Sequence, residues 1–492
     1  GRAKAVLNSD NAQLGGVIDV DALVAKNKVD MTLSTDISHA DLYSLGLMKK
    51  EFVMGMCAHL DIASNLKDYY KLQGLVNDLT IKSSDKTYRP KDLTMDIFTN
   101  RDTTWAKVSS GNLSLDMAAS GGYEALMRQG TKLVDEMIRQ TEVKTIDQAR
   151  IRAMFPVMRL KLESGDNNPV ANFMRFKGLS FKETSINMTS SPQHGLDGRG
   201  HIFSLVVDSM RIDTINFKVW QDAENVRLTA QVRNNKYNPQ FVFNALFDAE
   251  VRERSAGINA KFYDANNRLG VNLGMQAEVV DSGIKLHMSP YRPIIGYKEF
   301  GVNKDNFVFL GADKKIRAKV DLIADDGTGA KLYSEDDNPE MLQDLTFSLN
   351  HLDLKNLTSV IPYAMPQLAG MLNGDFHVLM NKEQKISVLS DLTVKDMEYE
   401  QSPMGNITSE LVYLQEDDDK HFVQATIGHN DREVGVLSGT YQNTGEGYLD
   451  ATFDMNRFPV SMVNGFVPDK LLGLEGYAQG QLDIKGALSA PQ

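Results

Sequence analysis

Apolar and polar residues alternate with period two along most of this 492-residue chain. The stretch from Phe241 to Met288 is the clearest case, with turn signals at Asp264-Ala265-Asn266-Asn267 and Asp281-Ser282-Gly283 between its alternating segments. Successive side chains of a β-strand point to opposite faces of a sheet, so this alternation predicts strands with one apolar and one polar face. Short turns between such strands predict antiparallel hairpins. The chain is therefore predicted to be mainly β, an antiparallel sheet of consecutive hairpins with a few short helices.

The apolar positions of these strands are the candidate functional residues. They are Ile215, Phe217, Val219, Phe241, Phe243, Phe247, Phe262, Val271, Leu273, Met275, Leu286, Met288, Leu482 and Ile484. Two interpretations of them stay open: an ordinary hydrophobic core, or one sheet face that no second layer covers and that lines an apolar channel. Methionine suits such a channel because its flexible thioether adapts to acyl chains of variable shape.

Three segments interrupt the alternation and are predicted to be helices. Apolar residues at three- and four-residue spacing predict an amphipathic helix from Tyr123 to Gln140. Thr145 is expected to open a capping box for a second, short helix, and Asn168, Pro169 and Gly178 mark the ends of a third. Whether these helices plug a groove or cap one end of it stays open. The predicted segments are 11–120 with β repeats, 121–290 with a helical insertion before a β-meander, and 291–492 with further β repeats and short helices.

One supersecondary unit recurs in the chain. A strand, a short helical turn and a strand that begins with two glycines follow each other from Phe453 to Gly480 and again from Leu352 to Gly374, and a weaker copy runs from Ala40 to Leu75. The glycines are expected to lie at turns or bulges. Repetition of one such unit predicts an architecture extended by stacking instead of a single catalytic core.

Charge and cysteine content exclude several classes of function. The net charge is −12 without a basic cluster, which argues against nucleic acid as a partner. The single cysteine, Cys57, excludes an intramolecular disulfide and a thiolate metal cage, and we expect it to be a small core residue. No run of apolar residues is long enough for a membrane-spanning helix. The chain begins with Gly1 instead of Met, so we expect a section of a longer protein.

No pattern in the sequence indicates a catalytic or metal site. His351 and Asp353 are the nearest approach to a ligand pair, and two ligands do not make a site. The acidic run from Glu416 to Lys420 lacks the features of a calcium loop and is predicted to be a hairpin tip. Nucleotide-binding and nucleophile-elbow motifs are absent from the sequence. We expect no enzyme activity, no metal and no cofactor.

The repeated unit resembles the translocation and assembly module TamB family of the AsmA-like superfamily, in the form found in Bacteroidetes. The order of its parts carries the resemblance, together with the ending Gly486-Ala487-Leu488-Ser489-Ala490-Pro491, and it is strongest from Met288 to Gln492. It implies a long curved sheet folded into a hydrophobic groove, a β-taco. It further implies a periplasmic protein that is anchored in the inner membrane and works with a TamA-like outer-membrane barrel. Its implied role is phospholipid transport between the two membranes, assembly of outer-membrane proteins, or both.

Two other functions stay open beside a lipid-carrying groove. A scaffold or chaperone would bind nascent barrel strands at its sheet edges by β-augmentation. An exported adhesin or binding module would instead present aromatic residues on its loops. Candidate partners are accordingly a phospholipid or other acyl-chain ligand and an outer-membrane barrel.

Overall fold

The fold of this chain is mainly β in a computed structural model that describes residues 1–83, 86–207, 209–222, 224–335, 340–359, 366–416, 419–443, 447–466 and 473–487. Strands make up 66% of the structure and helices make up 10%. The strand pairings of the described residues are antiparallel, so the predicted fold class is confirmed. Contacts divide the chain into two units, Gly1–Arg254 (unit 1) and Ser255–Gln492 (unit 2).

Unit 1 contains sixteen strands among the described residues. They are β1 Arg2–Asp10, β2 Leu14–Ala25, β3 Lys28–Asp41, β4 Val53–Ser64, β5 Tyr70–Ser83, β6 Lys86–Tyr88, β7 Leu93–Thr99, β8 Thr103–Ser110, β9 Leu113–Ser120, β10 Met158–Gly165, β11 Leu179–Ser180, β12 Glu183–Ser191, β13 Gly195–Val207, β14 Met210–Gln221, β15 Val226–Asn234 and β16 Phe243–Val251. Most strands pair with the next strand along the chain. The exceptions involve two short strands: β6 pairs with β5, which also pairs with β7, and β11 pairs with β13, which also pairs with β12. β10 pairs with β12. No described pairing joins β1 to β16, so the sheet is open.

Unit 2 is built in the same way. Its described strands are β17 Ser255–Tyr263, β18 Leu269–Val280, β19 Gly283–Ile295, β20 Lys298–Glu299, β21 Gly301–Val302, β22 Phe307–Gly311, β23 Ile316–Ile323, β24 Gly329–Ser334, β25 Met341–Asp353, β26 Leu368–Asn381, β27 Ile386–Tyr399, β28 Ser402–Gln415, β29 Lys420–His429, β30 Arg432–Gln442, β31 Tyr448–Pro459 and β32 Tyr477–Ala487. The short strand β20 pairs with β19, and the short strand β21 pairs with β23. The sheet itself continues from β19 to β22 and then to β23. From β23 to β32 each strand pairs with its successor.

The two predicted hairpin turns, and the predicted boundary between residues 290 and 291, can be located among these strands. The turn at Asp264 separates β17 from β18, and the turn at Asp281 separates β18 from β19, as predicted. The segment Pro290-Tyr291-Arg292-Pro293 lies inside β19, where the pairing with β18 shifts register between Asn272 and Gly274. Of the acidic run, Glu416 and Lys420 pair at 2.9 Å between β28 and β29, and residues 417 and 418 lie outside the described residues.

The predicted helices are present, with one correction. They are α1 Tyr123–Glu142, α2 Gln148–Ala153 and α3 Pro169–Phe176, and the repeats add α4 Leu354–Ser359 and a 3-10 turn at Val460–Phe466. Asn168 caps α3 by accepting a hydrogen bond from the amide of Ala171 at 3.0 Å. The capping box at Thr145 is wrong: the carboxylate of Asp147 caps α2 by accepting from the amide of Arg150 at 2.9 Å. The Thr145 hydroxyl bonds the carbonyl of Val143 instead.

Two copies of the predicted repeat share a backbone geometry. The first strand of each copy shifts register near its end, beside a left-handed residue, His351 (φ 52°) in β25 and Arg457 (φ 54°) in β31. After the helical turn, β26 carries Gly370 and Gly374, with φ of 125° and 141°, conformations that favour glycine. Gly476 and Gly480, at φ 101° and 135°, occupy the matching places around the start of β32. Gly370 lies at a register shift between β26 and β27, as predicted for a bulge glycine, whereas Gly374 and Gly480 keep their pairing inside the strands.

The third copy lacks this geometry. Its Gly74 lies in β5, whereas the strand that follows the turn is β4, and Gly74 is not left-handed. Residues 360–365 and 467–472, inside the other two copies, and residues 488–491 of the ending lie outside the described residues.

Candidate functional site: two apolar sheet faces

One face of the unit 1 sheet is apolar across fourteen strands. Residues that pair directly across neighbouring strands share a face, so the register identifies the members of that face. One uninterrupted row consists of Ala5, Val20, Leu33, Leu60, Gly74, Met95, Val108, Leu115, Leu162, Ile186, Gly200, Phe217, Ala230 and Phe247. Strands are spaced about 4.8 Å apart, so this row extends roughly 60 Å along the sheet. We call the face that contains it apolar face 1.

The opposite side of the same strands is polar. It carries cross-strand ion pairs such as Arg159 with Asp116 at 3.4 Å and Arg227 with Glu250 at 3.6 Å. We call it polar face 1. Cys57 lies on this side, because the register places it opposite Asp36, to whose carboxylate its thiol donates at 3.5 Å. The expectation of a core cysteine is therefore wrong, although partial burial still raises the pKa of the Cys57 thiol.

Unit 2 has an equivalent surface, apolar face 2. One row of directly paired residues on it consists of Val320, Leu332, Phe347, Phe376, Ser390, Leu411, Ala425, Leu437, Phe453 and Leu482. Ser390 is the one polar member of this row. The aromatic rings of Phe347 and Phe376 lie 6.4 Å apart within it.

The register places the sequence-predicted residues on these two faces. Those on apolar face 1 are Ile215, Phe217, Val219, Phe243 and Phe247, and those on apolar face 2 are Phe262, Val271, Leu273, Met275, Leu286, Met288, Leu482 and Ile484. Phe241 precedes β16 and stacks on Phe243 with ring centroids 5.0 Å apart. The sequence interpretation missed the equivalent positions in β1 to β13, such as Leu33, Met95 and Leu162, although the same alternation marks them.

Large parts of both faces remain accessible. Phe247 is 36% exposed, Met275 45% and Leu482 50%, whereas Phe243, at 9%, has the burial of a core residue. The other predicted residues are half-buried. Within the described part of the chain, the predicted residues other than Phe243 are therefore at least partly accessible.

Each face contains a region of buried residues. On apolar face 1, Ala58, Val76 and Ile81 form a buried cluster with Phe52, and Phe176 of α3 packs on it with its ring 5.3 Å from that of Phe52. On apolar face 2, Phe300 and Val302 form a cluster with Leu322, against which the predicted residue Met288 packs. Helix α3 therefore covers one part of apolar face 1.

The ligand pair considered in the sequence has other partners. The carboxylate of Asp353 accepts hydrogen bonds from the amide and the side chain of Asn356, and the ring of His351 contacts the side chain of Asn350 at 2.7 Å. Among the described residues, no group of three or more histidine, cysteine and acidic side chains is arranged to hold a metal ion. None of the described helices combines the length and the apolar character needed to cross a membrane.

These observations define the chain as an antiparallel β protein whose open sheets are apolar on one side. Comparisons with protein-family models, curated proteins and solved structures found no match.

Proposed function

We propose that this chain is a periplasmic segment of a TamB-like, envelope-spanning protein whose apolar faces carry phospholipid between the inner and outer membranes. The observation that carries the proposal is the uninterrupted row of paired apolar residues from Ala5 to Phe247, in a face that leaves Phe247 accessible. A lipid in an aqueous compartment exposes apolar surface at a cost of about 25 cal/mol per Å². A continuous apolar face lowers that cost at each step along the row.

The width of the face suits an acyl chain. In β16 the apolar positions run from Phe243 to Val251, eight residue steps that span about 27 Å. One leaflet of a bilayer has a hydrocarbon thickness of about 15 Å, half of the usual core. An acyl chain therefore fits along a strand, with its headgroup beyond the strand end in water. The proposed partner at the outer membrane is a TamA-like barrel.

A pair of aspartate substitutions in β16 tests the proposal. Phe247→Asp puts a charge on apolar face 1, and Leu246→Asp puts the same charge one residue away, on polar face 1. Lipid that copurifies with each protein is measured by native mass spectrometry, and folding is checked by thermal unfolding. We expect Phe247→Asp to lower bound lipid at least tenfold and Leu246→Asp to leave it near the wild-type amount. Absence of lipid from the wild type, or equal loss in both variants, would contradict the proposal.

A further inference from the structure

Helix α1 exposes an apolar stripe that the sheet does not cover. Tyr123, Met127, Val134 and Ile138 follow one another at spacings of four, seven and four residues and are 54% to 56% exposed. On a helix these spacings place the four side chains on one stripe. Exposed apolar residues in such a row mark an interaction surface more often than isolated ones do.

Polar contacts hold α1 at both ends and leave the stripe free. At its start the amide of Tyr123 donates to the hydroxyl of Thr99 at 2.9 Å. Near its end the carboxylate of Glu136 forms an ion pair with Arg150 of α2 at 2.9 Å. The side-chain oxygen Oε1 of Gln140 accepts from the backbone amide of Asp147 at 2.7 Å. The stripe therefore does not serve to pack α1 onto the protein.

A cavity joins the stripe to apolar face 1. Its volume is about 410 Å³, and Tyr70 and Thr99 from the sheet line it together with Tyr123 and Ala125 of α1. Tyr70 pairs directly with Thr99, and both lie on the same face as Leu72 and Ile97 in the register. The apolar surface of the sheet thus continues past the strand ends onto the helix.

The rim of the cavity carries more positive than negative charge. Lys67, Arg101 and Arg128 stand there with Asp68 and Glu124. Arg128 is 3.5 Å from Glu124, and Asp68 accepts from the side chain of Asn65 at 2.8 Å. Among the described ion pairs none involves Lys67 or Arg101, so these two cations are available to an anionic group.

We propose that this cavity binds a phospholipid, with the phosphate at Lys67 and Arg101 and an acyl chain along the stripe of α1. The site would be a lateral port through which lipid reaches or leaves apolar face 1. This inference rests on the proposed lipid-carrying function. It assigns to α1 a role in lipid entry, where sequence reasoning left open whether the helix plugs a groove or caps it.

Two fluorescent probes test the site in the whole chain, labelled phosphatidylglycerol and labelled diacylglycerol, which lacks the phosphate. We expect a Lys67→Glu and Arg101→Glu double variant to bind phosphatidylglycerol about tenfold more weakly and diacylglycerol unchanged. Val134→Asp on the stripe should weaken both probes several-fold, whereas Lys132→Asp on the polar side of α1 should weaken neither. Thermal unfolding confirms that each variant is folded.

The outcomes separate this inference from the proposed function. If Phe247→Asp weakens both probes while the α1 and cation variants bind like the wild type, the port is wrong and the lipid carrier stands. If the wild type binds neither probe, both the port and the proposed lipid-carrying function are wrong. Displacement of the labelled phosphatidylglycerol by inorganic phosphate at millimolar concentration would indicate a simple anion site and would also overturn the port.

Discussion

Val76 and Phe247 lie on the same apolar face of unit 1 and have opposite surroundings. Val76 is buried beneath Phe52 and Phe176, which come from the segment after β3 and from α3. Phe247, at the far end of the same face, keeps about a third of its surface accessible among the described residues. The comparison shows that alternation alone does not decide whether a position becomes core or binding surface. The decision depends on whether another part of the chain packs over it.

The largest expected effect concerns the covered region. Phe52→Ala removes a buried ring from a closed cluster and should lower the free energy of unfolding by about 3 to 5 kcal/mol. Phe247→Ala removes a ring that is already partly in water and should cost about 1 kcal/mol. Urea unfolding of both variants measures the difference. Equal costs would mean that Phe247 is also core and would break the comparison.

A smaller effect is expected at Gly200, where the row of paired residues in apolar face 1 has a glycine instead of a larger side chain. A Cβ added at Gly200 would come within 2.5 Å of the Phe217 ring and 2.7 Å of the backbone oxygen of Ser185. Gly200→Ala should therefore destabilise unit 1 by about 1 to 3 kcal/mol. Gly130→Ala in α1 is the control, because a Cβ added there meets nothing within 4 Å and Gly130 has no positive φ. Urea unfolding that ranks Gly130→Ala as the costlier change would contradict this packing.

The smallest effect concerns the attachment of α1 and depends on pH. Hydrogen bonds from Arg139, and then from Gln140, lower the pKa of Glu136 from 4.5 to about 2. A carboxyl group with a lowered pKa in the folded state stabilises it above about pH 4.5, and this contribution is lost as the pH falls towards 2. Hydrogen exchange of the α1 amides, corrected for intrinsic rates, should therefore lose protection between pH 4.5 and 2.5. Glu136→Gln should remove this pH dependence, and an unchanged profile in that variant would exclude Glu136 as its source.

The sequence allowed prediction of the strands and of their two faces, because the period-two pattern is local and is repeated. It also located α1 and α3, whose spacing and caps are local signals as well. The segments that pack over apolar face 1 were not predictable from the sequence. Phe176 contacts Phe52 across more than a hundred residues, and no local pattern records that contact. The predictions of a capping box at Thr145 and of a buried Cys57 were wrong for a related reason. Asp147 competes for the same helix end, and register with β3 directs Cys57 to the polar side.

The central claim is that lipid contacts one face of the sheet and not the other, and site-specific photo-crosslinking tests it most directly. A crosslinking amino acid is placed in turn at Asn216, Phe217, Lys218 and Val219 of β14, and lipid adducts are measured by mass spectrometry after illumination in cells. The account predicts adducts at Phe217 and Val219, on apolar face 1, and none at Asn216 and Lys218. Adducts of equal yield at all four positions, or at none, would contradict it.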